Sequence, residues 1–101
     1  LLYGLSHYDK GRFFCLDIET GKLLWTGPGR TGQNATFLAI PGYLLALLNH
    51  GELNIFKAGG EEFQKVASYE LADSQTWAPP VLLQGAILVK DHDKLTRWEF
   101  P

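Results

Sequence analysis

The chain has 101 residues, 46% of them apolar and 20% charged, with a formal net charge of −2. That balance fits a folded domain or a piece of one, and excludes a disordered tail, a collagen-like repeat and a coiled coil. No apolar run approaches the length of a membrane span, and no clustered basic face points to nucleic acid.

The sequence reads as a string of short strands. They are expected near 1–6, 12–18, 22–26, 34–40, 43–49, 52–57, 63–71, 78–83, 86–90 and 94–100, each bounded by Gly, Pro, Asn or Asp. Leu44-Leu45-Ala46-Leu47-Leu48 is apolar at every position and predicts a strand buried on both faces. Pro41-Gly42 before it and Asn49-His50-Gly51 after it leave too little chain for a helix. The connections are also too short for the crossover helices of a parallel sheet.

The corners repeat. Gly11, Gly51 and Asp93 each precede a strand, and Pro41-Gly42 and Gln84-Gly85 each precede another, at steps of about 40–43 residues. A period of that size, with several strands in each copy, is what a β-propeller blade requires. With strands A to D running from the inside outward, the expected units are three. Residues 1–33 form a partial blade of strands B-C-D, 34–75 a complete blade, and 76–101 a partial blade of strands A-B-C. The expected fold is therefore all-β, a partial propeller of four-stranded antiparallel blades. With no methionine and an opening on Leu1-Leu2-Tyr3, the chain is expected to be a fragment of something larger.

The most specific stretch is Cys15-Leu16-Asp17-Ile18-Glu19-Thr20-Gly21-Lys22-Leu23-Leu24-Trp25. It resembles the repeat of the pyrroloquinoline-quinone-like propellers, in which a small residue, an Asp, a Thr-Gly-Lys turn and a Trp recur at this spacing. Asp17, Thr20, Gly21, Lys22 and Trp25 match directly, with Cys15 at the small position. The Thr20-Gly21 pair predicts a tight turn, and Asp17 an acceptor for turn amides. The resemblance implies that Trp25 clasps one blade to the next. Ala78-Pro79-Pro80-Val81 with Gly85-Ala86-Ile87-Leu88-Val89 resembles the same family's inner hairpin. Phe56-Lys57-Ala58-Gly59-Gly60-Glu61 has lost the signature.

The family holds quinone-dependent dehydrogenases and non-catalytic scaffolds. The vicinal cysteine pair common in the dehydrogenases is absent, because Cys15 is the one cysteine. The expected role is a non-catalytic, cofactor-free interaction scaffold. Its expected partners are the remaining blades or further copies, together with other proteins, and not nucleic acid. The resemblance implies a periplasmic or secreted location. The alternative is a piece of a quinone-dependent dehydrogenase, and a distant third an adhesion or carbohydrate-binding propeller.

Other residues carry less chemistry. His7, His50 and His92 fall in turns between strands B and C, with His50 and His92 at equivalent positions. One histidine per diverging turn is no chelate, so they read as solvated turn residues, His50 and His92 being candidates for contacts at one rim. Asp91-His92-Asp93 lacks the spaced ligands of a calcium loop, and Asp9-Lys10-Gly11 reads as a turn. Ser6, His7 and Asp9 are too close in sequence to form a triad. Gly27-Pro28-Gly29-Arg30-Thr31-Gly32 leads into a strand rather than a helix, so it reads as a connecting loop, not a phosphate loop. Cys15 is expected to be a small buried side chain in acidic surroundings. Trp77 is open to packing or to a rim contact, and Trp98 is expected to pack.

Overall fold

A computed structural model describes residues 1–100. Ten strands follow in chain order: β1 Leu2–Ser6, β2 Arg12–Leu16, β3 Leu23–Thr26, β4 Ala35–Ile40, β5 Tyr43–Leu48, β6 Glu52–Lys57, β7 Lys65–Glu70, β8 Val81–Leu83, β9 Ala86–Lys90 and β10 Leu95–Glu99. Their one helical interruption among the described residues is a 3₁₀ turn, Tyr8–Lys10. The chain is all-β.

The strands form three antiparallel sheets, β1-β2-β3, β4-β5-β6-β7 and β8-β9-β10, and each strand pairs with its neighbours in sequence. Only the middle sheet has four strands; the flanking sheets have three. Pro101, the last residue of the expected third unit, lies outside the described residues.

The core explains how the sheets are arranged. Side chains alternate along a strand, so β5 presents two faces. Leu44, Ala46 and Leu48 join Phe13, Cys15 and Trp25 of the first sheet in one buried cluster, with Phe56 beside them. Leu45 and Leu47 join Ile87 and Val89 of the third sheet in another, with Leu53 and Leu71. Both faces of β5 are thus covered, as its unbroken apolar run requires, while β7 at the sheet's edge is largely exposed. Burying side chains of this size contributes roughly 1.5–3 kcal/mol each before entropy is counted.

Several strand ends differ from the sequence expectation, for local reasons. The eighth strand begins at Val81 rather than residue 78, since Pro79 and Pro80 have no N–H for a ladder. The second ends at Leu16, because Asp17 already belongs to a turn. The seventh begins at Lys65 rather than 63, yet Phe63 still packs against the first cluster from outside the strand.

Candidate functional site

The most elaborate side-chain arrangement joins the first sheet to the second. Trp25, on β3, is 7% exposed, and its Nε1–H donates to the carbonyl oxygen of Gly59 at 2.8 Å. The backbone N–H of the same Gly59 donates to the Tyr3 hydroxyl at 2.6 Å. Both backbone polar groups of one residue in the turn after β6 are therefore satisfied by two side chains of the neighbouring sheet. A buried indole or phenol needs a partner for its polar tip, and the loop supplies both. Around this clasp the rings of Tyr3, Phe13, Trp25, Phe56 and Phe63 lie in tilted, edge-on and, for Phe13 with Phe63, stacked contacts with centroids 5.2–6.2 Å apart. Such pairs add about 0.5–1.5 kcal/mol each beyond area burial.

Trp25 is delivered there by the turn that precedes it. Asp17 Oδ1 accepts from the backbone N–H of Glu19 at 2.9 Å and of Thr20 at 3.4 Å. Gly21, at φ +73°, donates to the Asp17 carbonyl at 2.7 Å, and Lys22 N–H donates to Thr20 Oγ1 at 3.2 Å. Asp17, Thr20 and Gly21 thus close the hairpin, Lys22 lies exposed on its outside, and Trp25 is the residue of this group that reaches the next sheet. Tyr3 and Gly59 carry no motif, and the sequence does not single them out. The one signal is the glycine pair at 59–60, where the Thr-Gly-Lys pattern is lost.

The second junction is built differently. Trp98 Nε1–H donates to the Leu71 carbonyl oxygen at 3.0 Å, Thr76 Oγ1 donates to the Leu48 carbonyl oxygen at 2.7 Å, and His92 N–H donates to Ser74 Oγ at 3.0 Å. Trp98 packs through one end and remains 40% exposed. Trp77 is 55% exposed, and its indole N–H donates to nearby Gln75 Oε1 at 3.0 Å.

The histidines stay apart from one another in function. His50 Nε2 lies 3.6 Å from Glu52 Oε1, His92 is anchored through its backbone, and His7 lies beside Lys10 and Arg30. Among the described residues no group of three metal-binding side chains converges. Asp91 resembles Asp17 in its work rather than a calcium ligand. Its Oδ1 accepts from Asp93 N–H and Lys94 N–H, each at 2.8 Å. The backbone N–H of Lys94 foremost, then Asp93, Ser74 and the Lys94 charge, hold its carboxyl below the usual range against the opposing effect of burial.

The corner glycines also recur in role. Gly11 and Gly51 have φ of +107° and +96°, and a Cβ on either would overlap a carbonyl oxygen, that of Gly32 or of Ala72. Gly11 O accepts from Thr31 N–H at 3.0 Å and Gly51 O from Leu71 N–H at 2.9 Å. In both sheets the turn before the next-to-last strand is pressed against the connection leaving the same sheet, and only glycine fits.

Cys15 is fully buried, and burial pushes its thiol up from the ordinary value. Asp17, expected beside it, is instead occupied in the turn. No protein-family model matches the chain, and no curated protein matches it in sequence.

Proposed function

We propose that the chain is a run of three consecutive blade units of a β-propeller of the pyrroloquinoline-quinone-like repeat family, serving as a non-catalytic protein-interaction scaffold. On this reading the three-stranded sheets are units lacking one strand, the innermost in the first and the outermost in the third. The location that goes with it is periplasmic or secreted.

The observation that carries the reading is the state of the outer faces. The middle sheet is enclosed on both sides, as a blade within a ring is. The first and third sheets have only their inner faces covered. Register places Leu2, Leu16 and Leu23 in one row on the outward face of the first sheet. It places Val81 beside Leu88 on the outward side of the third, with Leu83 and Leu95 on the same face among Lys90, Arg97 and Glu99. Leu23 and Val81 are 54% and 52% exposed. An apolar row at one end of a stack, and exposed Val81, Leu83 and Leu95 at the other, suit further sheets of the same kind. The equivalent Gly11 and Gly51 corners support a repeated unit as well.

Light scattering of the 101-residue chain at micromolar concentration tests this. Self-association that Leu23→Lys and Val81→Lys reduce is the expected result. A stable monomer with cooperative unfolding contradicts the reading, because the outer faces would then need no cover.

A further inference from the structure

A second feature lies outside the sheet interfaces. The 3₁₀ turn after β1 and the loop before β4 meet at an open concavity of about 730 Å³, lined by His7, Lys10, Gly11, Arg30, Gly32 and Gln33. No carboxylate lines it. His50 stands at its edge, near Gly32.

The acids nearby are already committed. Asp9 Oδ2 pairs with Arg12 Nη2 at 2.6 Å, and Glu52 faces His50. Arg12 is itself held, its Nη1 donating to the Gly27 carbonyl oxygen at 2.8 Å. Among the described residues neither Lys10 nor Arg30 has a carboxylate within ion-pair distance. A chain with net charge −2 therefore keeps two unneutralised cations, with a histidine beside them, around one hollow.

The backbone is also unusual there. The described non-glycine residues with positive φ are Asp9, Lys10 and Arg30, at +52°, +60° and +59°. Lys10 and Arg30 line the concavity, and Asp9 lies between them in the hydrogen-bond network. Arg30 N–H donates to the Asp9 carbonyl oxygen at 2.8 Å and Thr31 N–H to that of Gly11 at 3.0 Å. Positive φ at long-chain residues costs free energy, and such positions concentrate where a ligand is clamped. Glycine would relieve the cost at either position. The chain has instead a long cationic residue at each, and both line the same space.

We propose that this concavity binds a phosphate monoester. A guanidinium and an ammonium lining one concavity match the two negative charges of a phosphoryl group, the guanidinium by a two-pronged hydrogen bond. The volume exceeds what a bare phosphate fills and lies in the range of small-molecule clefts, which leaves room for an organic body on the ester oxygen. The site does not depend on the propeller reading, since one turn and one loop contain it.

Calorimetric titration of the whole chain with inorganic phosphate, phenyl phosphate and acetate is the test. Phenyl phosphate is expected to bind tightest, inorganic phosphate more weakly, and acetate not measurably. Lys10→Gly and Arg30→Gly remove one cation each while easing the positive φ, so both variants should fold at least as well as the parent. Each is expected to weaken phenyl phosphate binding about tenfold or more, as loss of a charge-assisted hydrogen bond does. Lys57→Gln, remote from the concavity, should leave binding unchanged. Equal affinity for acetate, no binding of either phosphate, or unchanged binding in both glycine variants overturns the proposal.

Discussion

The two junctions of the middle sheet bury opposite faces of the same strand, yet they are made of different material. Toward the first sheet, Leu44, Ala46 and Leu48 meet aromatic rings, and Gly59 is held by Tyr3 and Trp25. Toward the third sheet, Leu45 and Leu47 meet aliphatic Leu53, Ile87 and Val89, and no indole is fully buried. The aromatic junction combines area with directional hydrogen bonds, so it specifies one relative placement of the sheets. The aliphatic junction relies on nondirectional burial, with its hydrogen bonds displaced to the rim at Leu71, Thr76 and Ser74. A repeated architecture does not require repeated contacts.

The largest effect is expected where one residue supplies both kinds of contact. Trp25→Ala should cost roughly 3–5 kcal/mol, the range for large core truncations. Trp25→Phe keeps the ring but leaves the Gly59 carbonyl without its donor, and should cost about 1–3 kcal/mol. Denaturant unfolding at a fixed protein concentration reads both. Equal losses for the two variants would mean that the hydrogen bond, rather than ring packing, carries the junction.

Ile87→Ala makes the matching cut in the aliphatic junction. Its side chain is 1% exposed, and the expected cost is about 2–4 kcal/mol. If the two junctions act independently, the Trp25→Ala and Ile87→Ala costs add within about 0.5 kcal/mol. A larger departure, measured in the double variant, would show that the middle sheet transmits strain from one face to the other.

The Gly11 and Gly51 corners compare the units at backbone level. Gly51→Ala places a Cβ against the Ala72 carbonyl, and Gly11→Ala one against the Gly32 carbonyl, each at positive φ. Each should lower stability by about 1–3 kcal/mol. Similar losses in unfolding experiments support equivalent corners; a neutral Gly51→Ala breaks the equivalence.

What was legible in the sequence was local or strongly patterned. The 17–22 turn closes through neighbours, so its residue types announce it. The unbroken apolar run of β5 announced burial on two faces. The clasp was half legible: Trp25 stands in a motif, but Tyr3 and Gly59 are brought together across 56 positions by sheet stacking. The concavity at Lys10 and Arg30 was hidden, because nothing in a lysine or an arginine signals a positive φ. By residue type Trp77 was open to packing or to a rim contact, and it is 55% exposed.

The smallest expected effect concerns pH, and it separates the junctions once more. Asp91 is bound to the amides of Lys94 and Asp93 and stands beside Ser74, at the rim of the aliphatic junction. Its carboxyl is held below the ordinary value in the folded chain, chiefly by the Lys94 amide. Its ionised form therefore stabilises the fold at pH above the unfolded carboxylate range, and that contribution fades as pH falls through the lowered folded value. Asp91→Asn keeps an acceptor oxygen at the turn but removes the titration. The denaturation midpoint, followed from about pH 6 down to about pH 3, should fall less steeply in the variant than in the parent. Hydrogen exchange at the low end should quicken in β9 and β10 of the parent more than in those of the variant. Parallel pH curves for parent and variant would remove Asp91 from the account and leave the two junctions equally sensitive to acid.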